Sequence, residues 1–249
     1  MPQIMPSDPD PLSEFRPDAS RLDSSGRVRW AVASALSTLL RFSFHLLYHQ
    51  LAFTYDLVAW IVSAGEWADW RRCVIPHLRS GPVLEIAHGT GTLSLDLADR
   101  GYAVTAVDLS PAMGGIASRK IRARLRRNGA KPDGAAQPPR LVRADVRRLP
   151  FPAGSFRSAV ATFPADFIFQ TETLHEVHRA LSSGGRWIIL PTAFPEWLAK
   201  RWLPEDSAPS SGGMWRSWLA KLEACSFRVG TEIVRRPRSR VLLILAEKL

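Results

Sequence analysis

The chain has 249 residues, of which 46% are hydrophobic and 22% charged, so it is long enough to bury a well-filled core. Its two cysteines exclude a framework of disulfide bridges and favour a reducing, cytoplasmic location. The net charge of +10 draws attention to anionic partners, and the acidic, proline-rich first residues are unlike a secretory signal.

The amino-terminal part predicts two segments. Residues 1–25, rich in Pro, Asp and Ser, predict a disordered leader, and residues 26–80 predict a helical cap. Within the cap, apolar residues of 28–52 repeat at helical spacing, while Arg41 and His45 lie on the opposite stripe. A spanning helix needs ~20 apolar residues. The segment therefore predicts an amphipathic helix, which either packs on the core or rests on a membrane surface.

A strand, a glycine turn, a helix and a second strand follow in residues 83–108. Glu85 precedes the turn, Gly89 and Gly91 lie in it, and Asp108 ends the second strand. This order is typical of a nucleoside-binding half of a doubly wound sheet, with the second carboxylate placed for a ribose. The turn has no third glycine, which argues against NAD or FAD.

Four motifs in order resemble one protein family. They are E-I-A-H-G-T-G at 85–91, D-L-S-P-A-M at 108–113, A-D-V followed by L-P-F within 144–151, and L-x-E-x-x-R-x-L-x-x-G-G-R at 174–186. Together they resemble class I S-adenosylmethionine-dependent methyltransferases, of the methyltransferase type 11 branch that includes quinone and phospholipid methyltransferases.

The resemblance implies that S-adenosyl-L-methionine is the cofactor. Glu85 and the two glycines would hold its methionine portion, and Asp108 its ribose. Leu109 and Met113 would cover one face of the adenine. Asp145 and Val146, after the third strand, would meet its edge. The complete set of implied cofactor-binding residues is Glu85, Ala87, His88, Gly89, Gly91, Asp108, Leu109, Met113, Asp145, Val146 and Thr162.

The chain departs from the family pattern at two positions. Ala87 and His88 stand where the family usually has Gly followed by Cys or Ser. Alanine is small enough to keep the turn. The histidine is either a ligand contact or a tolerated substitution that points along the loop, and we favour the second because methyl transfer needs no histidine there.

The remaining pattern predicts an α/β fold, a doubly wound, Rossmann-like, seven-stranded and mostly parallel sheet with an antiparallel C-terminal edge hairpin. The core would occupy residues 81–249, with a substrate-side insertion at 191–222. The predicted strands lie at 82–87, 103–108, 140–144, 157–163, 185–190, 227–234 and 240–247. The insertion contains Trp197, Trp202, Trp215 and Trp218, which would cover the sheet edge or line a lipophilic cleft.

Candidate general bases are weakly specified. A sulfonium methyl is already activated, so a base is needed only if the acceptor carries a proton. His88 and Tyr55 are candidates, beside His45, Tyr48 and His49. No metal-ligand cluster is expected. The segment after the fourth strand has neither the N-P-P-Y pattern nor a cysteine, which argues against methylation of nucleic-acid bases.

These observations predict a methyltransferase acting on a small, lipophilic or aromatic acceptor that is quinone-like or lipid-like. An RNA or protein methyltransferase and a non-catalytic cofactor-binding protein are the alternatives. The basic runs at 119–127, 140–148 and 235–240 have no interleaved aromatic residues, so nucleic acid is not the favoured partner. Together with the segments 28–52 and 191–222, these basic runs instead suggest that the protein contacts a membrane peripherally.

Overall fold

The computed structural model describes residues 63, 65–128, 137–196, 199 and 213–249. All of them belong to one compact unit that runs from Ala52 to Leu249. The predicted leader, the predicted helix at 28–52 and Tyr55 lie outside the described residues. So do Trp197, Trp202 and the side chain of Trp215.

The described part alternates helices and strands. Its helices are α1 (Trp67–Arg72), α2 (Thr92–Ala98), α3 (Pro111–Asn128), α4 (Thr171–Ala180) and α5 (Gly213–Ala224). Its strands are β1 (Val83–Ile86), β2 (Val104–Asp108), β3 (Arg140–Arg143), β4 (Phe156–Thr162), β5 (Leu181–Pro195), β6 (Phe227–Arg235) and β7 (Ser239–Lys248). Short 3-10 turns occupy Ile75–His77, Val146–Arg148 and Asp166–Phe169.

Among the described residues, seven strands form one sheet in the order β3-β2-β1-β4-β5-β7-β6. The first five strands in this order are parallel to one another, whereas β7 runs antiparallel between β5 and β6. The predicted fold class, a mostly parallel sheet with an antiparallel C-terminal hairpin, is confirmed.

Strand β5 is longer than the sequence predicted. The prediction ended it at 190, but it extends to Pro195 and pairs there with Ser239. The register against β7 shifts between Ile189 and Thr192, which indicates a bulge at the proline. A bulge tolerates proline because the missing N–H leaves no ladder bond broken.

Apolar layers cover both faces of the sheet. Alternate residues of β5 point to opposite layers, as Trp187 and Ile188 do. Helices α1 and α2 contribute Trp70, Leu93 and Leu97 to one layer. Helices α4 and α5 contribute Leu174, Val177 and Leu222 to the other.

Strand β1 lies at the position where the strand order reverses, between β2 and β4. In open parallel sheets ligands bind in the crevice outside the carboxyl ends of the strands at such a switch point. The last or next residues of four strands lie at this edge, at 87–91, 108–110, 145–146 and 162–163.

Candidate functional site

The turn between β1 and α2 depends on left-handed backbone. Ala87, Gly89 and Gly91 have φ of 55°, 54° and 74°. An alanine in this region costs about 1–2 kcal/mol, because its Cβ crowds the following carbonyl. The position where the family usually has glycine therefore requires the left-handed conformation here as well, and this chain accepts the strain.

The two glycines serve different purposes. A Cβ at Gly91 would lie 2.7 Å from Cβ of Ala117, so this glycine allows α2 to pack against α3. A Cβ at Gly89 would meet nothing within 4 Å. The space over Gly89, called the cradle below, is therefore open, and a side chain or a ligand could occupy it.

Asp108 joins the end of β2 to the turn. Its Oδ2 accepts a hydrogen bond of 2.9 Å from the backbone N–H of Gly89, and its Oδ1 accepts one of 2.8 Å from Ser110. Each carboxylate oxygen has two acceptor sites. The side chain thus holds the loop in shape and keeps acceptor capacity for the hydroxyl groups of a ligand.

Glu85 lies beneath the turn and is 3% exposed. The hydroxyl of Ser94 donates a hydrogen bond to its Oε2. Burial raises the pKa of Glu85 to about 7, although the Ser94 hydrogen bond and the charge of Arg71 oppose that rise. A cationic group bound above the carboxylate would favour its ionised form.

His88 is turned into the loop. Its Nδ1 donates to the carbonyl of Gly89 at 2.9 Å, because a carbonyl oxygen can only accept. Burial lowers the pKa of His88, partly opposed by the charge of Asp108, so the ring is neutral near pH 7. The imidazole therefore stabilises the turn, and its Nε2 is left as the acceptor nitrogen.

The two aliphatic residues predicted to cover adenine differ in exposure. Leu109, directly after β2, is 57% exposed, which suits a face that awaits a planar ring. Met113 is 0% exposed and offers no surface to a ligand. The contact of Met113 with adenine stays a prediction, and binding would have to expose the thioether. The thioether supports the loop from below because the first turn of α3 points it into the core.

The end of β3 presents a carboxylate that already has partners. Asp145 accepts from the backbone N–H of Arg147 at 2.9 Å and pairs with its guanidinium at 2.8 Å. The Arg147 hydrogen bond lowers the pKa of Asp145. Val146, which follows it, is buried. The predicted adenine edge thus includes an arginine that sequence reasoning missed.

An aromatic cluster, Trp67, Trp70 and Phe163, lies beside the end of β4. Phe163 follows Thr162 with φ of 50°, and its ring stacks on Trp67 with centroids 4.1 Å apart. The ring of Trp70 lies 6.3 Å from that of Phe163. Trp67 and Trp70 are three residues apart, but Phe163 is distant along the chain, so local sequence does not predict their contact with it.

Helix α1 is tied to the hairpin of β6 and β7. Trp70 Nε1 donates to Oγ of Ser239 at 2.8 Å and to Oε2 of Glu66 at 3.1 Å. Ser239 in turn donates to Glu66, and Arg236 pairs with Asp69 at 3.0 Å. These bonds fix the aromatic cluster against the antiparallel end of the sheet.

In the part of the chain that the structure describes, no group of three or more His, Cys, Asp or Glu side chains could hold a metal ion. No helix there is long and apolar enough to cross a bilayer. A shallow groove of about 410 Å³ lies at the amino ends of β1 and β2, whereas the candidate site lies at the carboxyl ends of these strands.

Residues 83–185 match the family described as a methyltransferase domain. These residues make up about two fifths of the chain and are similar to that domain. This match confirms the resemblance inferred from the four motifs, and it covers Glu85, Asp108 and Asp145.

Two curated relatives carry the same name, demethylmenaquinone methyltransferase. The protein of Thermus thermophilus is 33% identical over 150 residues, which cover 58% of this chain and 63% of that protein. The protein of Beutenbergia cavernae is 34% identical over 155 residues, which cover 61% of this chain and 58% of that protein. The matched region thus spans about three fifths of either relative.

A solved structure shares the fold at low sequence identity. A SAM-dependent methyltransferase from Methanosarcina mazei is 19% identical and has a TM-score of 0.51, covering 71% of this chain and 97% of its own. The likeness extends the family match from sequence to architecture.

Proposed function

We propose that this protein binds S-adenosylmethionine and transfers its methyl group to a lipophilic or aromatic acceptor of quinone-like character. Binding of the cofactor is supported above all by the open cradle over Gly89, which is bordered by Asp108 and the exposed Leu109. The names of the relatives support the acceptor class.

The residues of the turn fit the cofactor in chemistry. The methionine portion carries an ammonium group, and Glu85 is a buried carboxylate whose charge such a group would stabilise. Asp108 has acceptor capacity for ribose hydroxyls, and Leu109 offers an apolar face for adenine. Asp145 and Val146 would meet the adenine edge, and Thr162 would border the site from β4.

The aromatic cluster supports the acceptor side. Phe163 directly follows the carboxyl end of β4, next to the switch point, and Trp67 of α1 stacks on it. Flat apolar rings stack favourably on aromatic side chains. We assign this cluster to one wall of the acceptor cleft, with Trp70 holding it in place through Ser239.

The cofactor, when bound, supplies an activated methyl group, so the protein's task is to align the acceptor and exclude water. The cluster would orient the acceptor ring and keep that side dry. A neutral His88 keeps the turn closed through its hydrogen bond to the carbonyl of Gly89. Because its Nε2 carries no proton, His88 is our candidate base for an acceptor that must lose a proton.

Calorimetric titration with S-adenosylhomocysteine tests the cofactor site. Asp108→Asn should weaken binding by about 1–3 kcal/mol, because the amide cannot accept at both positions. Asp99→Asn is the matched control, since Asp99 pairs with Arg124 just beyond the end of α2. Equal, small effects of the two substitutions would contradict the assignment.

Transfer of a labelled methyl group tests the acceptor class. Label in the organic extract of a lysate is expected, whereas label in RNA or protein would favour those acceptors, and binding without transfer would indicate a non-catalytic protein. With a short-chain quinone acceptor, Trp67→Leu should raise KM several-fold and leave affinity for S-adenosylhomocysteine unchanged. A change in both would place Trp67 in the cofactor site instead.

We also propose peripheral contact of residues 28–52 and 191–222 with a membrane. The amphipathic pattern and the tryptophans of these segments support it. Flotation with vesicles after deletion of 1–52 is the direct test, and undiminished flotation would contradict a role of the helix.

A further inference from the structure

The positive charge of the chain is concentrated in one stretch. Residues 111–148 contain eleven Lys and Arg residues and two acidic ones, so they account for nine of the ten net charges. The rest of the chain is close to neutral. A uniformly basic sequence would not produce this distribution.

The fold places the described part of that stretch along one edge of the sheet. Helix α3 and strand β3 both belong to it, and β3 is the terminal strand on that side. Arg119, Arg122 and Arg126 repeat at intervals of three and four, so they share one face of α3, and all three are exposed.

The two sides of α3 are used differently. Toward α2, Arg124 pairs with Asp99 at 2.8 Å and Lys120 donates to Thr92 at 3.0 Å. Within the described ranges, no acidic side chain pairs with the three arginines of the outer face. The outer face is thus a row of uncompensated cations along a helix about 27 Å long.

We propose that this basic edge, formed by the outer arginines of α3 with Arg140 and Arg143 of β3, docks on an anionic lipid bilayer. The choice of a bilayer rests in part on the lipophilic acceptor proposed above, which would reside there. Docking through this edge would bring the cofactor-binding end of β3 to the membrane surface.

Two features favour a bilayer over a nucleic acid. Residues 111–148 contain no aromatic side chain, so the edge lacks the stacking platforms that bind single strands. Leu125 is 48% exposed among the arginines. An apolar side chain between cations suits the boundary between headgroups and acyl chains.

Sedimentation with phosphatidylcholine vesicles, with and without phosphatidylglycerol, tests the proposal. The variant R119Q/R122Q/R126Q should lower the partition coefficient for the anionic vesicles at least about tenfold, since each cation near the surface contributes. The control R100Q/R157Q/R228Q removes the same charge from exposed arginines that lie outside the basic edge and outside the segments 28–52 and 191–222, and it should change partitioning less than about threefold.

Circular dichroism and S-adenosylhomocysteine affinity should be unchanged in both triple variants, which separates docking from folding and from the proposed catalysis. Equal losses in the two triples, or no binding of the wild type to anionic vesicles at low salt, would overturn the proposal. Tighter binding to RNA than to vesicles, lost in the α3 triple alone, would assign the edge to nucleic acid and also overturn it.

Discussion

The two sides of the switch point are built by different means. On the cofactor side, the turn after β1 is held by partners close along the chain, such as Asp108 with Gly89 and Ser94 with Glu85. On the acceptor side, the aromatic cluster is held by distant partners, above all Trp70 with Ser239.

The contrast separates the part of the site that would hold the cofactor from the part that would select the acceptor. A cofactor of fixed shape requires a fixed local loop, which a short motif can encode. An acceptor cleft is assembled between elements, so it can change without altering the motif. The variants below test whether the two sides are energetically as separate as their contacts suggest.

The largest effect is expected from Gly91→Ala. Its new Cβ would meet Ala117 at 2.7 Å, and the residue would remain left-handed, so the cost should be about 3–4 kcal/mol of unfolding free energy. Urea denaturation measures it. The double variant with Ala117→Gly should recover part of the loss.

Gly89→Ala is the matched comparison, because the backbone is also left-handed but the space is open. Its cost in stability should be only about 1 kcal/mol. Affinity for S-adenosylhomocysteine should fall at least tenfold, since the methyl group enters the cradle. Loss of stability as large as in Gly91→Ala, with affinity intact, would refute the distinction.

Glu85→Gln should abolish one contribution to the pH dependence of the free energy of unfolding. The folded pKa of about 7 lies above the unfolded value near 4.5, so the proton stabilises the folded state below pH 4.5. That stability is lost as pH rises to about 7. The free energy of unfolding of the glutamine variant, relative to that of wild type, should therefore rise by on the order of 2–3 kcal/mol between pH 4.5 and 7.5.

Urea denaturation of both proteins across this pH range measures the difference, in which other titrations cancel. A difference that is constant with pH would contradict the raised pKa. In wild type, S-adenosylhomocysteine should also bind more tightly as pH rises through this range, since its ammonium group favours the ionised carboxylate.

Trp70→Phe tests the acceptor side. It removes the donor to Ser239 and Glu66 and should destabilise by about 1–2 kcal/mol, while cofactor affinity stays unchanged. Trp187→Phe is the control, because its buried Nε1 has no hydrogen-bond partner in the described part of the chain. A smaller loss in the control isolates the hydrogen bonds, and equal losses would mean that ring volume alone matters.

The smallest effect has the opposite sign. Ala87→Gly should stabilise by about 1 kcal/mol, because relief of left-handed strain exceeds the added entropy of the unfolded chain. Thermal denaturation reports it as a modest rise in Tm. A fall in Tm would show that the alanine methyl group makes compensating contacts.

The sequence predicted the strand–turn–helix–strand unit of the cofactor side for a physical reason. The motif from Glu85 to Gly91 and the carboxylate at Asp108 lie within 24 residues, and their geometry follows from one strand–turn–helix–strand unit. The resemblance placed Met113 near the site, but only packing decided that its side chain enters the core.

Local sequence alone thus determined the sheet, the turn and the carboxylates that border the cradle. The tertiary structure decided the extension of β5 past Pro191, the stack of Trp67 on Phe163 and the bonds of Trp70 to the hairpin. It also gathered the arginines of α3 and β3 at one edge. These features depend on side chains brought together from distant parts of the chain, and such contacts leave no periodic pattern in the sequence.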